Sequence, residues 1–197
     1  LTTNIAVVPV GVFAISYAVA IFPVLSSAAA RGDRETFVSE FSRTTRQVLF
    51  FMIPTSVLIL VLRAHIVRLI LGTQNLSWDD TRLAAAALAL VAVSLFLQGM
   101  TPLLARAYYA MRNTVIPVIA SGIALVVDVG VAYGALWVMR EAPVVTWVFR
   151  GLLRLHGVPK IEMLALPLAF SVAVAVQVIL LVVLFRRKFG RLDGWHI

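Results

Sequence analysis

The sequence predicts an all-α fold, a polytopic transmembrane helix bundle of about five spans with kinked helices. Composition is the first observation behind this reading. Hydrophobic residues make up 61% of the 197 residues and charged residues 13%, where a soluble domain carries about 25% charged residues. Mean hydropathy is +0.99. The second observation is where the charge falls. No charged side chain occurs in 1–30, 47–62, 83–105 or 163–185, and 113–139 holds one, Asp128. A helix needs about 20 mostly apolar residues to cross about 30 Å of hydrocarbon. Four of these stretches reach that length. The shorter one, 47–62, is lengthened by Arg46 and Arg63, which can snorkel to the interfaces.

The expected spans are about 2–27, 45–63, 82–106, 114–139 and 163–185. The first four make up a unit over 1–139. The connection 140–162 lies on the extracytoplasmic side, and 163–197 holds the last helix and a basic cytoplasmic tail. Within the long connection, Val145, Val148, Phe149, Leu152 and Leu153 share one helical face while Arg150 and Arg154 point elsewhere. That pattern predicts an amphipathic helix lying in the interface. Connection 28–44 is charged but helix-compatible. Ser77-Trp78-Asp79-Asp80 is a capping sequence for the third span. Six prolines fall in or beside spans: Pro9 and Pro54 inside, and Pro23, Pro102, Pro117 and Pro167 nearer the ends. Each removes a backbone hydrogen bond, and Pro9 and Pro54 are the candidate hinges.

Alternation puts connections one and three and the tail on one side, with Arg31, Arg34, Arg43, Arg46, Arg106, Arg112, Arg186, Arg187, Lys188 and Arg191. The other side has Arg63, Arg68, Arg82, Arg140, Arg150, Arg154 and Lys160. The positive-inside rule places the richer side in the cytoplasm. The net charge of +8 is then contact with anionic lipid headgroups. Nucleic acid is not an expected partner, because the basic residues sit at helix ends rather than in one patch.

The apolar segments recur to the end of the chain, unlike a signal peptide followed by a soluble body. The chain opens inside an apolar run without Met and reads as a piece of a longer transporter-like protein. There is no cysteine, hence no disulfide framework and no thiolate metal site. His65, His156 and His196 lack metal-ligand spacing, and no phosphate-binding loop, nucleophile elbow or HExxH motif occurs. An enzyme is therefore not expected. Asp128 is the acidic residue deep in a span, where a carboxylate costs about 2.5–3.5 kcal/mol. It marks an ion-coupling or cavity residue, or a protonated group bonded to a neighbouring helix. Gln98 and Gln177 are also polar within spans and suit inter-helical hydrogen bonds.

Three stretches resemble one family. They are Val8-Pro9-Val10-Gly11-Val12-Phe13 with Ile21-Phe22-Pro23-Val24-Leu25-Ser26, the turn Ala105-Arg106-Ala107-Tyr108-Tyr109-Ala110-Met111-Arg112-Asn113-Thr114-Val115-Ile116-Pro117-Val118, and Pro167-Leu168-Ala169-Phe170-Ser171. They resemble the MurJ/MviN lipid II flippases of the multidrug/oligosaccharidyl-lipid/polysaccharide exporter superfamily, with the turn the most specific. The resemblance implies helices eight to twelve of fourteen, part of the C-lobe of a two-lobe transporter. It implies export of a lipid-linked oligosaccharide, lipid II, across the bacterial inner membrane for cell-wall synthesis. The mechanism would be alternating access against an N-lobe absent from this chain. Asn4 stands where the family commonly has a cavity-facing arginine. Gln98, Arg106 and Arg112 complete the candidate cavity residues. The resemblance also implies an ion site with Asp128 as ligand, but its Asn position holds Ala124 and its Thr position Phe170, with Ser171 adjacent. Sodium at Asp128, or a proton, is the expected coupling ion, and no other cofactor is expected. A polysaccharide-unit or drug exporter of the same superfamily, or a membrane scaffold for cell-wall assembly, are the alternative functions.

Overall fold

The computed structural model describes residues 8–71, 78–141 and 161–189. A π-helical segment, Val10–Ile15, runs into α1 (Ser16–Arg31), followed by α2 (Arg34–Leu71), α3 (Trp78–Ala110) and α4 (Val115–Glu141). A 3-10 turn, Ile161–Leu164, then leads into α5 (Ala165–Phe189). All five are long and apolar enough to cross a membrane, and no strand occurs among the described residues. Asn4 and the amphipathic segment expected at 144–155 lie outside the described residues.

The helices are longer than the apolar stretches that predict them. The first connection shrinks from 28–44 to Gly32 and Asp33, because α2 starts at Arg34. Its first three turns are amphipathic: Phe37, Phe41 and Thr44 are buried, while Arg34, Glu35 and Arg43 are exposed. Asp33 caps this helix, its carboxylate accepting from the Thr36 N–H at 3.0 Å. α3 likewise runs on to Ala110, leaving a four-residue turn before α4. Pro117 and Pro167 fall in the first turns of α4 and α5, where a backbone N–H has no intrahelical partner. Pro23 and Pro102, expected near span ends, lie within α1 and α3, and Pro54 lies within α2. Pro9 directly precedes the π-helical segment.

α3 is the central helix. Half of its apolar stretch is buried, against 17% for the first and fourth spans, and it packs on α1, α2 and α5. At Gly99 it comes so close to α2 that an added Cβ would lie 2.9 Å from Met52 Cγ, and 3.4 Å from Ala14 Cβ of the π-helical segment. Beside that contact Phe13 stacks on Phe51 at 5.2 Å. Polar side chains tie the neighbours to α3: Ser56 of α2 donates to the Ala92 carbonyl and Ser171 of α5 to the Leu90 carbonyl at 2.9 Å. Toward the other end, Tyr108 Oη donates to the Leu181 carbonyl at 2.9 Å. Its ring meets Phe185 edge-on at 5.9 Å, and Phe185 stacks on Phe41 at 4.8 Å. This cluster pins α2, α3 and α5 together. α4 is peripheral and packs mainly along α5, where Gln177 Nε2 donates to Ser121 Oγ at 3.0 Å.

Candidate functional site

The inward stripe of α4 runs through Ala120 and Ala124, both buried, to Asp128, which is half-buried. The spacing of four puts the three on the same helical face. Small side chains there let α4 approach α5 closely, as membrane helix interfaces commonly do. Among the described residues Asp128 has no hydrogen-bond or ion-pair partner. Ser171 on α5 directs its hydroxyl elsewhere, to the carbonyls of Leu90 and Pro167, both at 2.9 Å. Gln98 donates to Ser94 Oγ at 3.1 Å in its own helix, and Ser94 in turn donates to the Val91 carbonyl. Of the two glutamines expected to bridge helices, Gln177 therefore does so and Gln98 bonds locally, because Ser94 sits one turn away on the same face.

A hard cation is held by several oxygen ligands. Around Asp128 the positions implied for two of them carry Ala124 and Phe170, which have no side-chain oxygen. Among the described residues no group of three His, Asp or Glu is placed to hold a metal. Of the side-chain ligands that the resemblance implies for sodium, Asp128 is the one present in this sequence. What the geometry offers is a single half-buried carboxylate on the face of α4 that carries Ala120 and Ala124.

Arg106 and Arg112 lie far from Asp128. The start of α4, next to Arg112, is 13 residues from Asp128, about 20 Å along the helix. They belong to the arginine-rich end of the bundle, where two helices terminate in the same turn. After α1, the Asp33 N–H donates to the Ala28 carbonyl at 3.0 Å and the Gly32 N–H to Ala29 at 3.2 Å. After α3, the Asn113 N–H donates to the Tyr108 carbonyl at 3.0 Å and the Arg112 N–H to Tyr109 at 2.9 Å. This is the Schellman pattern, which needs a left-handed residue. Gly32 takes it at φ 69° and Arg112 at φ 57°. Glycine does so without strain, whereas a residue with a Cβ gives up about 1–2 kcal/mol. Asn113 then caps α4, its Oδ1 accepting from the Ile116 N–H at 3.3 Å.

Between these two helix ends lies a groove with two adjoining cavities. One, of 460 Å³, is bordered by Ser26, Ala29 and Ala30 of α1 and by Tyr109 and Arg112. The other, of 380 Å³, is bordered by Phe22, Pro102, Ala105, Arg106 and Tyr109. The sequence holds a signal for the strained arginine: Ala28-Ala29-Ala30-Arg31-Gly32-Asp33 ends one helix with glycine, while Tyr108-Tyr109-Ala110-Met111-Arg112-Asn113 ends the other without it.

A family model described as lipid II flippase MurJ matches residues 1–197, the whole chain. The chain belongs to the MurJ lipid II flippase family. It is similar to a probable lipid II flippase MurJ of Bdellovibrio bacteriovorus, 28% identical over 124 residues, covering 63% of this chain and 24% of the relative. It is also similar to a lipid II flippase MurJ of Thermosipho africanus, 27% identical over 136 residues, covering 66% of this chain and 28% of that one. A solved structure of lipid II flippase MurJ in an inward closed conformation superposes with a TM-score of 0.69 at 21% identity, over 98% of this chain and 37% of the other. That likeness establishes the fold. The chain thus spans about a quarter of the length of the curated relatives it matches. With five membrane-length helices and this family, it is a multi-pass membrane protein.

Proposed function

We propose that this chain supplies five helices of the C-terminal lobe of a lipid II flippase in the bacterial inner membrane. The reading rests above all on the family match across residues 1–197, and the bundle fold supports it. The substrate is an undecaprenyl-linked disaccharide-pentapeptide. Its charged, sugar-bearing headgroup cannot cross about 30 Å of hydrocarbon unaided, so the protein must enclose it between two lobes that open alternately to each side. This lobe rocks against an N-terminal lobe. The prolines inside helices and the π-helical turn after Pro9 give bending points, since such sites lack regular backbone hydrogen bonds; Pro9 and Pro54 are the hinges. The arginine-rich end faces the cytoplasm.

Asp128 is the coupling residue of this lobe, and its lone carboxylate suits a proton better than sodium. A carboxylate that gains a proton on one side of the cycle and loses it on the other changes the cost of burying the α4–α5 interface, and so biases one lobe orientation. The test is rescue of a lipid II flippase-depleted strain by the full-length gene. Rescue by the wild type and its loss in Asp128→Asn are expected, with wild-type rescue unchanged in low-sodium medium. Loss of wild-type rescue at low sodium would return the coupling ion to sodium. Failure of the intact, expressed gene to rescue would favour a polysaccharide-unit or drug exporter.

A further inference from the structure

At the arginine-rich end the same turn is closed once by Gly32 and once by Arg112. A cation near a helix C-terminus is favoured by the helix dipole. That benefit would also come from an arginine one or two residues earlier, in ordinary helical geometry. The left-handed position does something further, because it fixes where the side chain leaves the backbone. Arg112 sits on the border of the 460 Å³ cavity opposite Ser26 and Ala29 of α1. On the inner side of Tyr109 the groove continues into the 380 Å³ cavity between Phe22, Pro102 and Ala105, with Arg106 beside it. Among the described residues neither Arg106 nor Arg112 is paired with a carboxylate. The groove is therefore cationic at its mouth and apolar below, and it opens where a membrane helix gives way to its connecting turn. That is the polarity profile of a phospholipid, with an anionic head at the interface and acyl carbons beneath it.

We propose that this groove binds an anionic phospholipid of the cytoplasmic leaflet, with Arg112 on the phosphate and Phe22, Pro102 and Ala105 against the first carbons of an acyl chain. Arg106 reinforces the field from the inner side. The lipid is a resident of the site and is distinct from the lipid the protein transports. Arg112→Gly isolates the charge, since glycine is the residue this turn prefers; the turn is kept and only the guanidinium is lost.

The test uses the purified full-length protein in detergent, with bound lipid counted by native mass spectrometry during titration with phosphatidylglycerol or phosphatidylcholine. The wild type is expected to prefer phosphatidylglycerol. Arg112→Gly should lower that preference about fivefold, the weight of one basic residue at an anionic surface, with a melting temperature no lower than wild type. Arg112→Lys should retain most of it. Ala105→Phe, which fills the apolar cavity, should weaken both lipids. Unchanged phosphatidylglycerol binding in Arg112→Gly would overturn the proposal and leave Arg112 as a counter-charge to the helix dipole. Unchanged binding in Ala105→Phe would place any bound lipid outside the groove. Displacement by millimolar inorganic phosphate would make it a phosphate site rather than a lipid site.

Discussion

Tyr108 is the largest fully buried side chain among the described residues. It donates to the Leu181 carbonyl, and its ring closes the cluster with Phe185, Phe41 and Phe37. Tyr108→Phe keeps the ring and loses the bond. The expected loss is about 0.6 kcal/mol, the mean for inter-helical hydrogen bonds in membrane proteins. Tyr108→Ala also empties the volume of the ring and should cost about 3–5 kcal/mol. Thermal unfolding of the full-length protein in detergent distinguishes the two, and equal losses would mean that the ring contributes nothing. Gly99 is the second such residue. Valine there would drive a Cβ onto Met52 Cγ, and overpacking of this kind costs about 1–3 kcal/mol. Asp128 is visible in the sequence because a single charge in a long apolar run stands out. Tyr108 is not, because its partner is 73 residues away and nothing local marks a tyrosine as buried. Arg112 lies between these cases: its strain becomes legible when its turn is set beside the glycine-closed turn after α1.

At the scale of the element, charge-free stretches locate five helices but not their ends. Hydropathy marks the part of a helix that lies in lipid, whereas α2 continues through Arg34–Leu71, 38 residues, because Phe37, Phe41 and Thr44 bury one face beyond the apolar run. The start of that helix is capped by Asp33. Hydrogen bonds from Thr36 hold the Asp33 carboxyl below its ordinary value, with the nearby Arg31 charge adding to the effect. A lowered native value means that the folded state binds fewer protons than the unfolded one, so the cap stabilises above the ordinary carboxylate range, near 3.9. The stabilisation is lost as pH falls through the lowered value. Asp33→Ala should therefore melt below wild type at neutral pH, and the gap should close on acidification. A gap that persists at the same size in strong acid would show that the carboxylate charge plays no part. The α4–α5 pairing is equally unreadable from periodicity, since both helices are apolar on all sides. It is the Gln177–Ser121 bond and the alanines of α4 that define the contact.

The whole molecule is a bundle with two unlike ends. Its apolar outer faces, such as Phe50, Val61, Val126 and Trp137, are exposed, as they are in a protein surrounded by lipid or by further helices of its own chain. At about 1.5 Å per residue α2 is about 57 Å long, well beyond the roughly 30 Å of hydrocarbon. Its proline-containing apolar part, 47–62, sits in the membrane, so the helix extends beyond it at both ends, further at the Arg34 end, where Arg31, Arg106, Arg112, Arg186 and Arg187 also gather. Lys and Arg near span ends set orientation because moving them across the bilayer is unfavourable. The arginine-rich end should therefore be cytoplasmic, and the Glu141 end outside. The chain has no cysteine of its own, so single cysteines can report on this directly. Ser39 and Glu141 are both exposed and lie toward opposite ends. In a full-length protein freed of any other cysteine, Glu141→Cys should react with a membrane-impermeant maleimide added to intact cells. Ser39→Cys should react only after the membrane is opened. The reverse pattern would invert the bundle and move the Arg112 groove to the outer leaflet.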